Sequence, residues 1–167
     1  MKTTERYGPK ADAALTMWVK LARAFSTFNK LTADHIRSFG LTQPQFGALE
    51  TLGHLGPMMI GDLCRKQLVS GGNMTVVVDN LEEMKLVKRT TSRDDRRAYI
   101  VGLTPKGKKL FQKIFAQHAE FVANVASVLD EAEQELLGTL LKKLGTNCRK
   151  ESHDGPGEPR IVRNTRN

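Results

Sequence analysis

Leu86-Val87-Lys88-Arg89-Thr90 and Tyr99-Ile100-Val101-Gly102-Leu103 flank the stretch Ser92-Arg93-Asp94-Asp95-Arg96-Arg97. The flanks are rich in branched side chains and the stretch between them is polar, the pattern of two strands joined by a hairpin loop. Packing does not explain three arginines in one loop, because a guanidinium stays ionised and is rarely buried without a partner. The loop is expected to face something anionic. Nine basic residues between Lys85 and Lys109 stand against only Asp94 and Asp95, so this segment carries +7 of the chain's net +8. Charge gathered on one hairpin and its flanks is the footprint of a polyanion-binding surface, whereas a generally basic protein spreads it.

Just upstream, Asn73 to Lys85 reads as a helix with Val76, Val77, Leu81 and Met84 facing inward and Asn73, Thr75, Val78, Asp79 and Glu82 on its other sides. A shorter helix fits Ile60 to Gln67, with Ile60, Leu63 and Cys64 on its inner face, and Leu68-Val69-Ser70-Gly71 supplies the turn between the two. Two helices in tandem around a glycine-containing turn match the helix-turn-helix pattern, and the hairpin that follows occupies the place of a wing. Before them, Thr42-Gln43-Pro44-Gln45 is a capping box with proline in the first turn. It opens a helix through about Gly53 that buries Phe46, Leu49 and Leu52, and Gly56-Pro57 closes that region.

Long amphipathic helices are predicted at both ends. From Asp12 to Phe39 the apolar residues, among them Leu15, Trp18, Phe25, Phe28, Leu31 and Ile36, recur at three- and four-residue steps. Thr104 as N-cap with Pro105 in the first turn starts another helix to about Val128. A second capping box, Asp130 and Glu133, opens a last one whose stripe is Leu136, Leu137, Leu140, Leu141 and Leu144. Beyond Gly145, the tail from Asn147 to Asn167 has few large aliphatics and is expected to be disordered. The fold class is mainly α with a small β-hairpin wing, a winged helix-turn-helix lobe over 41–103 within a domain over 10–146, flanked by long helices over 12–39 and 105–146.

A chain of 167 residues, 40% of them hydrophobic, suits one domain with a real core. No apolar run approaches the roughly 20 residues of a membrane span, and MKTTERYGPK at the start lacks a hydrophobic signal region, so a cytoplasmic, nucleoid-associated protein without membrane contact is expected. Cys64 and Cys148 make no disulfide framework. His35, His54, His118 and His153 have no metal-ligand spacing with either cysteine, so neither metal nor cofactor is expected. No nucleophile elbow, phosphate loop or metalloprotease motif supports an enzyme.

In order and spacing, Leu41-Thr42-Gln43-Pro44-Gln45-Phe46, Gly71-Gly72-Asn73-Met74-Thr75, Asn80-Leu81-Glu82, Leu86-Val87-Lys88-Arg89, Asp94-Asp95-Arg96-Arg97-Ala98 and Leu103-Thr104-Pro105-Lys106-Gly107 resemble the MarR family of bacterial winged-helix transcription regulators. The resemblance covers roughly residues 12–146. It implies a homodimer whose terminal helices interlock, and the surplus apolar stripes agree, since one small lobe cannot cover them. It also implies double-stranded operator DNA as the partner. A helix N-terminus offers free N–H groups to a phosphate, a task suited to Ser70, Gly71, Gly72, Asn73 and Thr75, and Asn73 can also reach base edges. Arg65 and Lys66 are placed for backbone phosphates. In the wing, the family pattern puts a holding aspartate at Asp95 and a minor-groove arginine at Arg97, with Arg93 and Arg96 toward phosphates.

Members of the family commonly release DNA when a small anionic or phenolic molecule, or an oxidant, acts on the cleft between the dimerisation helices and the winged helix. Trp18, Phe25, Phe46, His54, Met58 and Phe115 are the candidates to line it, with His54 and His118 as polar contacts, although aromatics at helical spacing also make ordinary core. Cys64, beside Arg65, is the candidate for a thiol switch. Its inward position argues for a structural role, and the family's peroxide sensors carry their cysteine in the first long helix, where this chain has none. The expectation is a repressor released by an effector. The alternatives are a winged-helix interaction or architectural module without a ligand switch, and a redox-responsive regulator.

Overall fold

The computed structural model describes residues 7–67, 71–91 and 99–153, the side chains of 149–153 excepted. Its elements are α1 (Pro9–Ser38), α2 (Gln43–Leu55), β1 (Met58–Met59), α3 (Ile60–Gln67), α4 (Gly71–Glu83), β2 (Val87–Thr91), β3 (Tyr99–Leu103), α5 (Pro105–Ala126) and α6 (Glu131–His153). The strands form an antiparallel sheet of order β1-β3-β2, with Arg89 opposite Val101 and Met58 also opposite Val101 from the other side. The chain divides into two compact units, Met1–Val125 and Ala126–Asn167.

Helix starts follow their caps. Thr42 Oγ1 accepts from Gln45 N–H while the Gln45 side chain accepts from Thr42 N–H, which satisfies two of the donors that α2 leaves unpaired. Asp130 and Glu133 make the same reciprocal pair before α6. α2 ends at Gly56, whose φ of 81° is strained for residues with a side chain.

The core of the first unit gathers around Leu49, Leu63, Met74, Val78, Leu81, Leu86, Val87 and Val101, all essentially inaccessible. These come from α2, α3, α4, the start of the hairpin and β3, so the helix-turn-helix and the wing share one core. Their burial stabilises the lobe by roughly 1.5–3 kcal/mol per large side chain. The inner face of α4 differs from the expectation. Met74, Val77, Val78 and Leu81 point inward, whereas Val76 is 56% and Met84 37% exposed. Steps of three and four from Met74 generate the observed face, and Val76 falls outside it. β1 was also not foreseen, since two residues carry no periodicity.

The corner between α4 and β2 receives the start of α5. Thr104 N–H donates to the Leu86 carbonyl (3.0 Å), its hydroxyl donates to the Lys85 carbonyl (2.7 Å), and Lys106 Nζ donates to the Met84 carbonyl (2.9 Å). Gly107 N–H in turn donates to Thr104 Oγ1 (3.0 Å), the cap read from the sequence. A Cβ on Gly107 would overlap the Leu86 carbonyl oxygen. This close approach explains why glycine follows Thr-Pro-Lys.

α6 runs through His153, past Gly145 and the point where a disordered tail was expected to begin. A glycine stops a helix when it turns left-handed; Gly145 does not, and at about 1 kcal/mol its cost within a helix is too small to end one. The remaining tail, 154–167, lies outside the described residues. No described helix is long and apolar enough to cross a membrane.

Replacing Gly107 with alanine is expected to destabilise the protein by about 2 kcal/mol or more, because the added methyl meets backbone rather than a movable side chain. A urea or thermal melt checks this, and Gly138→Ala, where a Cβ within α6 meets open space, is the control expected to keep or raise stability by up to about 1 kcal/mol.

Candidate nucleic-acid interface and effector cleft

Among the described residues, nothing packs over the first turn of α4. Gly71, Gly72, Asn73 and Thr75 are exposed, and a Cβ on either glycine would meet nothing within 4 Å, so internal packing does not require them. Two glycines at a helix start place no side chain in the way of an anion approaching the first-turn N–H groups and the positive end of the helix dipole. The Thr75 hydroxyl is occupied, donating to the Gly71 carbonyl (3.0 Å). Arg65 and Lys66 lie exposed at the end of α3, with Arg65 paired to Asp62 one turn earlier. Ser70 and the wing residues Arg93, Asp95, Arg96 and Arg97 lie outside the described residues.

Arg89 has a different role from its basic neighbours. On β2 it is only 20% exposed, and its guanidinium pairs with Glu82 (Nη1 to Oε2, 2.6 Å) and Asp79 (Nη2 to Oδ1, 2.6 Å) of α4. Glu82 also accepts from the Arg89 backbone N–H (3.0 Å), and Nη2 reaches the Thr75 carbonyl (3.4 Å). The +7 footprint therefore overstates the cations available from this segment, because Arg89 is spent on two carboxylates. Its effect is mechanical: it fastens the first wing strand to the helix that carries Asn73. Sequence reading missed it because Asp79 and Glu82 looked like a solvated helix face.

A second feature is an open cleft of about 340 Å³ in the first unit. α1 contributes Phe25, Phe28, Asn29, Thr32 and Ile36; α2 contributes Gln43, Phe46, Gly47 and Glu50; α5 contributes His118 and Val122. Phe25 and Phe46 are the two expected lining residues that the structure brings together here. Trp18 does not line it, being seven residues from Phe25 and so about 10 Å farther along the helix axis. His54 and Phe115 pack instead with Phe111, with ring centroids 4.5–5.4 Å apart. Met58 pairs in the sheet and packs against the core. The polar lining was legible only as helical phase: Gln43, Phe46, Gly47 and Glu50 share one face of α2, as Phe25, Phe28, Asn29, Thr32 and Ile36 share one of α1.

Within the cleft Gln43 Nε2 donates to Asn29 Oδ1 (2.9 Å), fixing the start of α2 against α1. His118 Nδ1 lies 3.1 Å from His35 Nδ1, so one imidazole donates and the other accepts, and the His35 ring stacks on Phe121 at 4.1 Å. Burial, followed by the neighbouring charge of His35, holds the His118 pKa below the ordinary imidazole value of 6.5. Among the described residues no group of three His, Cys, Asp or Glu side chains is placed to hold a metal ion. Cys64 is half-buried against the lobe core, and Cys148 is exposed.

Because His118 titrates lower in the folded chain than in the unfolded one, the folded state binds fewer protons just below pH 6.5. The associated stability is full above the ordinary imidazole pKa and is lost as the pH falls through the folded-state value. Thermal midpoints at fixed protein concentration should fall between pH 7.5 and 5.5, and His118→Gln should flatten that fall; an identical pH profile in the variant would refute the assignment.

A profile of the MarR family matches residues 39–98. The HTH-type transcriptional regulator MhqR of Bacillus subtilis (strain 168) is 35% identical over 138 residues, covering 83% of this chain and 95% of the relative. Among solved structures, AbsC of Streptomyces coelicolor, a MarR family regulator, superposes with a TM-score of 0.70 or better, at 0.76, over 87% of this chain and 99% of its own at 20% identity, which speaks to the fold. BpsR of Bordetella bronchiseptica, whose DNA binding is regulated by 6-hydroxynicotinic acid, gives 0.70 at 25% identity, covering 78% and 98%. With a winged helix-turn-helix core, a hairpin fastened to the second helix of the motif, and a relative 35% identical over 83% of its length, this chain belongs to the MarR family of transcriptional regulators and not to a family of enzymes.

Proposed function

We propose that the protein is a homodimeric, sequence-specific repressor that binds a pseudo-palindromic operator and leaves it when a small anionic or phenolic molecule occupies the cleft. The observation that carries the reading is the exposed, glycine-led start of α4, joined to β2 by Arg89. In this arrangement Ser70, Gly71, Gly72 and Thr75 lie along a phosphate, Asn73 reaches the major groove, and Arg65 and Lys66 hold the backbone. Arg97 enters the adjacent minor groove with Asp95 holding it, and Arg93 and Arg96 meet phosphates.

Dimerisation accounts for apolar surface the chain leaves uncovered. On α1, Trp18 is 60% and Phe25 67% exposed, and on α6 Leu136, Leu137, Leu140 and Leu141 are all exposed. Such stripes mark interaction surfaces. The long helices over 12–39 and 105–146 then serve as the dimerisation elements, and a two-fold axis sets half-sites about 10 bp apart centre to centre. The protein works on nucleoid DNA in the cytoplasm.

Fluorescence polarisation with the duplex upstream of the protein's own gene tests the reading. The wild type should prefer that duplex to random DNA by about a thousandfold or more. Arg97→Ala should weaken binding by about 1–3 kcal/mol and make the salt dependence shallower, and Asn73→Ala should relax base preference. Equal affinity for random duplex would favour an architectural role instead.

A further inference from the structure

Resting on the reading of the cleft as an effector site, we infer that it selects an uncharged phenol over an aromatic carboxylate. None of the described lining residues is lysine or arginine, and the one charged side chain among them, Glu50, is an acid. A carboxylate placed there would meet like charge with no cation to offset it.

Two other groups deserve the same test, the start of α2 and the histidine pair. Gln43 lines the cleft, so the positive end of α2 is near. Its donors are already engaged: Gln45 N–H donates to Thr42 Oγ1, Phe46 N–H donates to the Thr42 carbonyl, and Pro44 has none. Only the Gln43 N–H is left, too little to hold a carboxylate. His118 is kept from becoming the missing cation by burial and by His35, which hold it neutral at physiological pH.

The same groups suit a phenol. Glu50 accepts from its O–H in a charge-assisted hydrogen bond, and Phe25, Phe28, Phe46 and Val122 cover an aromatic ring. With Nδ1 committed to His35, His118 retains Nε2 for a second polar substituent. Because either histidine of a neutral pair can be the donor, that nitrogen can give or accept a proton in a hydrogen bond without any charge appearing. An aromatic acid, the kind of molecule that regulates BpsR, is therefore disfavoured here.

The test is calorimetric titration of the full-length protein, without DNA, at pH 7.5 with 4-hydroxybenzamide and 4-hydroxybenzoate, which share shape and differ by one charge. The amide should bind at least tenfold tighter. Glu50→Gln should narrow that ratio by threefold or more, mainly through a gain for the carboxylate. Preference for the benzoate overturns the inference while leaving the cleft an effector site. An amide preference that Glu50→Gln does not change places binding elsewhere and overturns it too. Binding of neither probe, by protein that still recognises its own upstream duplex, overturns both the inference and the effector part of the proposed function but leaves DNA recognition standing.

Discussion

The pairing of Arg89 with Glu82 and Asp79 is the interaction on which the proposed DNA-facing side of the lobe depends. A recognition helix and a wing are useful only when their spacing is fixed, because the grooves they enter lie at fixed distances on the duplex. The shared core and the pairing of β1 with β3 seat the base of the hairpin, and the Arg89 pairing adds a polar tie on the side where α4 carries Asn73. Here Glu82 accepts from both the backbone and the side chain of Arg89, so both the position of β2 and the direction of its guanidinium are set by α4. Hydrogen bonds to charged groups are worth about 1.5–3 kcal/mol when shielded from water, and less here because both carboxylates are partly exposed. From the opposite end, Thr104, Lys106 and Gly107 tie α5 into the corner between α4 and β2, so the long helix and the wing meet the recognition helix at adjacent points.

That connection gives the proposed effector cleft a route to the proposed DNA surface. Its walls are α1, α2 and α5, and α5 begins at the corner where the wing departs. A ligand that binds one setting of these helices more tightly shifts the population toward it, by no more than the difference in its two affinities. In the cleft the groups proposed to discriminate are Glu50 and the His35–His118 pair, and in the corner the Leu86 carbonyl leaves no room for slack at Gly107.

Much of the fold was legible because its signals are local. The capping boxes at Thr42 and Asp130, the proline after Thr104 and the branched strands around the wing each fix a boundary through neighbouring residues. The face of α4 was misread because Val76, Val77 and Val78 are chemically alike, and the choice among them turns on taking Met74 as the start of the inward face. In the candidate site, the glycine pair stands out from composition and is exposed at the start of α4, while the arginine cluster lies outside the described residues. The site was not legible where function rests on long-range partners. Nothing in the sequence around Arg89 says that it is neutralised from another element, and nothing around His118 says that His35, 83 residues away, completes it. Aromatic content alone favoured Trp18, His54 and Phe115 for the cleft, and three-dimensional phase chose Asn29, Gln43 and Glu50 instead.

The central claim, that Glu82 and Arg89 act on DNA by holding the wing to the recognition helix, is tested most directly by the operator affinity of Glu82→Met. Removing a carboxylate and exposing the cation it pairs should tighten DNA binding if only charge mattered. The account predicts the reverse: the variant binds its own upstream duplex about fivefold or more weakly, because the wing loses its orientation. Equal or tighter binding would contradict it.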